Sequence, residues 1–241
     1  MRYEGVDPFA LGPVKPQTFW LHFSPEHFAH CLAVCQTEMP AANAVRLWLS
    51  FGAWQRGEAA FLQNLEVALA VCERAHLAVL PCLFARVGTG PYGDKGELAL
   101  DHILPDTGWA YRRGFYIPYF RTLGRLYGHD PRILGWDVCA GALPFGFTGT
   151  LARYETRLLR EMVFALKACG VAAPVGFAPA APRHGAQRQP PFYDFLLCEE
   201  GCGTDAAAGM LRLGAHGLSA VFTAKESYAV PESTEILEDP L

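Results

Sequence analysis

The 241-residue sequence is poor in charge. Asp, Glu, Lys and Arg make up only 18% of it, against 51% hydrophobic and 12% aromatic residues, and the formal net charge is -4. Intrinsic disorder requires the opposite balance and is excluded. Lys and Arg number 20 against 24 Asp and Glu, with no dense basic run to neutralise phosphates, so no nucleic-acid partner is expected. Long apolar runs are also lacking. Leu77 to Ala85 is far shorter than the roughly 20 residues of a membrane-spanning helix, so no membrane partner is expected. The N-terminus, Met-Arg-Tyr-Glu-Gly-Val-Asp-Pro, has neither the basic start nor the apolar core of a secretory signal. Cysteine is sparse: eight residues, at 31, 35, 72, 82, 139, 169, 198 and 202, mostly inside apolar runs where a thiol acts as a small hydrophobe. Reduced thiols in a cytoplasmic protein are the expectation.

Several motifs are missing as well. The segment after the first predicted strand, His22-Phe23-Ser24-Pro25-Glu26, lacks the Gly-x-Gly-x-x-Gly of a dinucleotide-binding sheet, no P-loop pattern occurs, and no Gly-x-Ser-x-Gly elbow offers a serine nucleophile. His27, His30, Cys31 and Cys35 share one helical face, but structural zinc sites usually draw on Cys-x-x-Cys knuckles, and none occurs. Ordinary helix and core positions account for these residues, and neither metal nor cofactor is expected.

What is present is an alternation of strand-like and helix-like segments. Thr18 to Phe23 reads as a first strand, followed by a helix from Ser24 (N-cap) and Pro25 to about Glu38. Ala44 to Ser50 is a second strand. Apolar residues at 61, 62, 65, 68, 69 and 72 predict a helix over 58–75 with one buried face. Leu77 to Ala85 has the near-continuous apolar character of a strand buried on both faces. After a Gly-rich loop come a helix near Arg112 to Gly128, a strand at Arg132 to Cys139, a helix at Thr150 to Cys169 and a strand at Pro174 to Ala178. A Pro- and Arg-rich connection leads to a strand at Tyr193 to Cys198, a helix at Thr204 to His216 and a strand at Leu218 to Ala224. The pattern predicts one α/β domain over 1–241, a (β/α)8 TIM barrel with seven clear strands, reduced or incomplete at its C-terminal end. An open side would expose strand edges, so a homo-oligomer closing the barrel is expected.

Four segments resemble the clan A glycoside hydrolases, the cellulase-like and mannanase-like barrels. Asn43-Ala44-Val45-Arg46-Leu47-Trp48-Leu49 is similar to the family's second strand, whose arginine sits beside the nucleophilic carboxylate. Leu77 to Phe84 is similar to the third. Asp130-Pro131-Arg132-Ile133-Leu134-Gly135-Trp136-Asp137-Val138-Cys139 resembles the approach to the Asn-Glu-Pro motif that ends strand four. Leu218 to Glu226 is similar to strand seven, whose terminal Glu is the nucleophile. The chain departs from the family after Cys139, where Ala140-Gly141-Ala142 replaces Asn-Glu-Pro and the acid/base Glu falls on Gly141. Retaining hydrolysis needs two carboxyl groups about 5–5.5 Å apart, and glycine supplies none.

The resemblance therefore implies a barrel that has lost hydrolysis and serves as a carbohydrate-binding or regulatory pseudoenzyme, with an oligosaccharide or glycoside as ligand. It leaves open an active O-glycosyl hydrolase using relocated carboxylates, and a non-catalytic structural or protein-interaction barrel. Glu226 is the candidate nucleophile equivalent, and Glu199, beside Glu200 after the sixth predicted strand, the candidate second carboxylate. Arg46, a charge inside an apolar strand, is a candidate substrate-binding residue that points toward the barrel mouth or pairs with a carboxylate such as Glu226. Trp54 and Trp109 are candidate sugar-stacking surfaces, and Asp101 and His102 candidate hydrogen-bonding groups in the third loop. Asp137 reads as an anchor beneath the barrel mouth.

Overall fold

The computed structural model describes residues 2–8, 14–87, 96–105, 114–143, 148–180, 192–200, 208–213 and 219–224. Eight strands close into a barrel in chain order: β1 (Arg2–Asp7), β2 (Ala44–Trp48), β3 (Ala78–Cys82), β4 (Trp136–Asp137), β5 (Val175–Phe177), β6 (Phe195–Glu200), β7 (Ala208–Leu213) and β8 (Ser219–Ala224). From β1 to β6 every neighbouring pair is parallel, with Val6 opposite Val45, Arg46 opposite Leu80, Cys82 opposite Asp137, and Gly176 opposite Phe195. β7 runs antiparallel to both β6 and β8, and β8 closes the ring by pairing parallel with β1.

Among the described residues, six α-helices accompany the first half of the sheet: α1 (Pro16–Leu21), α2 (Pro25–Glu38), α3 (Phe51–Arg56), α4 (Glu58–Arg74), α5 (Ile117–Tyr127) and α6 (Gly149–Ala168). α2 starts as its sequence dictates, with the Ser24 hydroxyl accepting from the His27 amide at 3.2 Å and Pro25 at the first helical position. α4 buries Phe61, Leu65, Ala68, Leu69 and Cys72, five of the six positions in its apolar stripe. α5 and α6 pack so closely that a Cβ on Gly124 would stand 2.6 Å from the Cys169 Cβ. A similar constraint holds between β5 and β6, where a Cβ on Gly176 would lie 2.2 Å from the Phe195 carbonyl oxygen.

Three elements differ from the sequence reading. Thr18 to Phe23 is not the first strand. The segment forms α1, begun by Pro16, and its Phe19 and Trp20 reflect burial rather than pleating: both are buried, and the Trp20 indole donates to the Trp48 carbonyl at 2.8 Å. The first strand is Arg2–Asp7, whose alternate positions Tyr3, Gly5 and Asp7 give no apolar alternation to read. The expected helix at Thr204 to His216 is instead β7. Its Ala-rich composition favours a helix, but only residues 201–218 separate β6 from β8, and strand pairing on both sides overrides propensity.

Reduction at the C-terminal end thus takes the form of an antiparallel β6–β7–β8 meander in place of strand–helix units. Since β8 pairs with β1, the sheet has no open side for a second copy to fill, and the strand read from sequence as the seventh is the eighth.

Candidate active site

Parallel strands deliver their C-terminal ends to one end of the barrel, and the polar residues of the interior collect there. Strand alternation turns Ala44, Arg46 and Trp48 of β2 to one face and Val45 and Leu47 to the other. Ala44 belongs to a buried apolar cluster with Leu80, Leu134, Ala178, Phe195 and Leu197. Arg46, 2% exposed, lies between two carboxylates. Its Nη1 donates to Asp7 Oδ2 at 3.1 Å, while its Nε, at 3.1 Å, and its Nη2 both donate to Asp137 Oδ2. The Trp48 indole N–H also donates to Asp7 Oδ2, at 3.1 Å, and its ring centroid lies 5.3 Å from the Arg46 Cζ. Asp137 Oδ1 accepts from the Cys139 amide at 3.1 Å. One guanidinium thereby links β1, β2 and β4 across the barrel.

Two thiols flank this cluster. Cys82 and Cys139 are buried, and burial first, then neighbouring carboxylates, push both well above the ordinary thiol value. They are neutral, and they offer the site no nucleophile. Cys31, Cys35, Cys72, Cys82, Cys139 and Cys169 form no disulfide with one another.

The turn after β4 is bound on every side. Ala140 bridges to Ala85 and Ala142 to Pro179, so the turn spans the ends of β3 and β5. Gly141 is buried in a left-handed conformation (φ 67°), and Leu143 follows with φ 52°. The Leu143 amide donates at 2.9 Å to Glu155 Oε1 from α6, and Glu155 is paired with Arg86 (Nε to Oε1, 3.5 Å), itself donating to the Leu98 carbonyl at 2.9 Å. Arg86 and Glu155 are both buried. Gly141 is therefore the inside of a tight turn with no side chain.

The candidates from sequence are distributed unevenly. Arg46 is in the buried cluster, but its partners are Asp7 and Asp137. Trp54 lies on α3 with its ring stacked on Phe51 (5.7 Å between centroids) and 5.3 Å from Tyr119, inside an aromatic cluster that also holds Phe84 and Phe115. Asp101 is exposed on the 3-10 turn Leu100–His102, and His102 packs 4.8 Å from the Phe115 ring with Nδ1 accepting from the Ala99 amide at 2.9 Å. Burial lowers the His102 pKa, outweighing the opposing effects of the Ala99 backbone and Asp101. Glu199 belongs to β6, opposite Gly209 of β7. Glu226 and Trp109 lie outside the described residues. On α2, Cys31 Sγ lies 3.7 Å from His27 Nε2, and burial raises its pKa to about 11. Among the described residues no group of three or more His, Cys, Asp or Glu side chains is placed to hold a metal ion.

Four residues of the strand ends were missed. Asp7 stands in an unrecognised strand. Arg86 follows an apolar run, and Glu155 lies one turn before Leu158 and Leu159 on the buried stripe of α6; a charge on such a stripe signals a buried partner. Glu97, from the loop after β3, accepts from the Ser50 hydroxyl at 2.6 Å and from the amides of Phe51 (2.8 Å) and Gly52 (3.2 Å), fastening that loop to the start of α3. Burial raises its pKa against those hydrogen bonds. No local sequence signal marks it.

No family model and no curated protein matches the chain. Solved structures do. GH5_18 from Streptomyces cattleya, in complex with GlcNAc, superposes with a TM-score of 0.53 at 16% identity, over 74% of this chain and 44% of that one. A variant of the same enzyme in complex with Manβ1-4GlcNAc also gives 0.53 at 16%, over 74% and 45%. The exo-β-1,4-mannosidase Op5Man5 from Opitutaceae bacterium strain TAV5 gives 0.55 at 19%, over 74% and 31%. The chain spans less than half the length of each, and the likeness at these identities is one of fold.

Proposed function

We propose that this barrel, which has the fold of the cellulase-like and mannanase-like glycoside hydrolases of clan A, is a carbohydrate-binding or regulatory pseudoenzyme that no longer hydrolyses glycosides. The observation that carries the reading is the turn after β4. The carboxyl group that would protonate a leaving oxygen is replaced by Gly141, and general acid catalysis of that kind is worth about 10²–10⁴-fold. A side chain cannot be restored there without strain, because an L-residue in the left-handed region costs roughly 1–2 kcal/mol. Meanwhile the buried arginine that stands beside the nucleophile in the family is fully engaged by Asp7 and Asp137, as a structural tie would be.

The ligand we propose is an oligosaccharide or glycoside, bound at the strand ends with Trp54, Trp109, Asp101 and His102 as contacts. GlcNAc and Manβ1-4GlcNAc, held by the structural neighbours, are the natural first trials. The reading takes the chain as one cytoplasmic barrel domain, whose closed sheet needs no second copy to complete it. Among the described residues no helix is long and apolar enough to cross a membrane.

A competing reading keeps catalysis with Glu199 and Glu226. Glu199 belongs to β6, and Glu226 lies outside the described residues. A retaining pair needs its carboxyl groups about 5–5.5 Å apart, an inverting pair roughly 6.5–9.5 Å. Calorimetric titration with manno- and cello-oligosaccharides, alongside aryl-glycoside turnover, separates the readings. Binding without turnover, for the native chain and for Gly141→Glu alike, is the expected result. Turnover abolished by Glu226→Gln or Glu199→Gln overturns it in favour of the enzyme, and absence of any sugar binding overturns it in favour of an interaction protein.

A further inference from the structure

Glu97 fastens more of the strand ends than its own loop. Its two carboxylate oxygens divide three donors: Oε1 accepts from the Ser50 hydroxyl and the Gly52 amide, and Oε2 from the Phe51 amide. Ser50, just past β2 and wholly buried, in turn accepts from the Ala53 amide at 3.0 Å. The amides of Phe51, Gly52 and Ala53, which open α3 and have no partner inside it, are thus satisfied by Ser50 and Glu97 together. On its backbone side Glu97 donates to the Ala85 carbonyl at 2.8 Å. Leu98 donates to the same oxygen at 2.9 Å, and its carbonyl accepts from the Val87 amide (3.0 Å) and the Arg86 guanidinium (2.9 Å). The Arg86 amide donates to the Ala140 carbonyl at 2.9 Å. One residue therefore joins the segments that follow β2, β3 and β4.

The surroundings are shaped for this contact. A Cβ on Gly52 would stand 3.2 Å from Glu97 Oε1 and 3.0 Å from Gln17 Nε2, so a side chain there crowds the carboxylate. A Cβ on Gly96 would stand 2.5 Å from the Arg86 carbonyl carbon and oxygen, which the loop's seat against Arg86 does not allow. The elements so joined carry three of the proposed sugar contacts. Trp54, half-buried, is in the first turn of α3, and Asp101 and His102 belong to the 3-10 turn that begins three residues after Glu97.

We propose that Glu97 is a positioning residue of the carbohydrate site, holding Trp54 in fixed relation to Asp101 and His102 so that the site is assembled before a sugar arrives. The inference rests on the carbohydrate-binding reading above and adds to it the source of the site's order. Hydrogen bonds to an ionised carboxylate are roughly twice as strong as neutral ones, and three of them converge on this side chain. A site ordered in advance binds more tightly, because the ligand does not have to order the loops that hold it.

The test combines calorimetric titration with mannotriose, cellotriose and Manβ1-4GlcNAc with amide hydrogen exchange, on the full chain. In the native protein the Trp54 and Gly57 amides, which donate to the Ser50 and Ala53 carbonyls, are expected to be protected with or without sugar. In Glu97→Ala that protection is expected to be lost in the free protein and restored by saturating sugar, with affinity lowered about tenfold, the scale of one or two side chains ordered on binding. Glu97→Gln keeps one acceptor oxygen and the side-chain volume. It is expected to lose about threefold in affinity, and it carries the test if the alanine variant does not fold. Gly124→Ala, which strains the α5–α6 contact instead, is expected to bind as the native chain does, and so separates positioning from general loosening. Native affinity in the folded Glu97 variants, or exchange protection that sugar does not restore, overturns the proposal and leaves the carbohydrate reading standing. Failure of the native chain to bind any of the three sugars overturns the carbohydrate reading and the proposal with it.

Discussion

His102 couples the loop after β3 to the start of α5, through the Ala99 amide and the Phe115 ring. Burial depresses its pKa, so between its folded value and the ordinary value near 6.5 the unfolded chain binds a proton that the folded chain does not. Stability from this residue is present above about pH 6.5 and is lost as pH falls through that window. Urea titrations at pH 7 and pH 5 should show a smaller drop in midpoint for His102→Gln than for the native protein; equal drops count against this role. The same residue shows what can be read from sequence at this scale. A polar residue in a loop after a barrel strand can be placed near the mouth, but whether it faces a ligand or a neighbouring ring is decided by tertiary contacts. Arg46 was legible as a charge that must be paired, since it interrupts an apolar strand. Its partners were not, because Asp7 and Asp137 come from strands 39 and 91 residues away.

Among the elements, the close contact of α5 with α6 gives a sharp expectation. Gly124 lies inside α5, where alanine is intrinsically favoured by about 1 kcal/mol. A Cβ would nevertheless stand 2.6 Å from the Cys169 Cβ and 3.0 Å from its carbonyl oxygen. Gly124→Ala should therefore destabilise the protein by about 1–3 kcal/mol, the cost of overpacking, and a stabilised variant in urea denaturation would show that the helices can separate. Elements with strong local signals matched their sequences: α2 by its Ser24 cap and Pro25, α4 by its apolar stripe, β3 by its apolar run. β1 and β7 did not. β1 turns Gly5 and Asp7 to its polar face, and β7 is built from residues that would suit a helix in isolation. Both exist because partners on each side complete their backbone hydrogen bonds, and no window of sequence contains those partners.

For the molecule as a whole, Arg46 is the cross-tie of the barrel. Removing one partner of a buried ion pair typically costs about 3–5 kcal/mol, since the other charge stays buried without it. Arg46→Met leaves the Asp7 and Asp137 carboxylates facing each other's field and should fall in that range by urea denaturation, with Asp137→Asn milder because the amide still accepts from the guanidinium. A change below about 1 kcal/mol, typical of an exposed pair, would mean that the cluster is open to water. Barrel architecture was legible from the strand–helix alternation, and reduction at the C-terminal end from the thinning of that pattern. The closed sheet was not, since closure depends on β1 pairing with β8, with Arg2 opposite Ser219 and Asp7 opposite Ala224. That pairing also fixes an order of events in time. The β6–β7–β8 meander joins segments close in sequence and can form early, whereas the last seam brings together strands more than two hundred residues apart. Such distant pairings are slow, because the loop entropy is lost before the contacts repay it. During synthesis β1 emerges long before its partner exists, so the newborn chain carries an unsatisfied strand edge, and Asp7 a carboxylate awaiting its full setting, until β8 has left the ribosome.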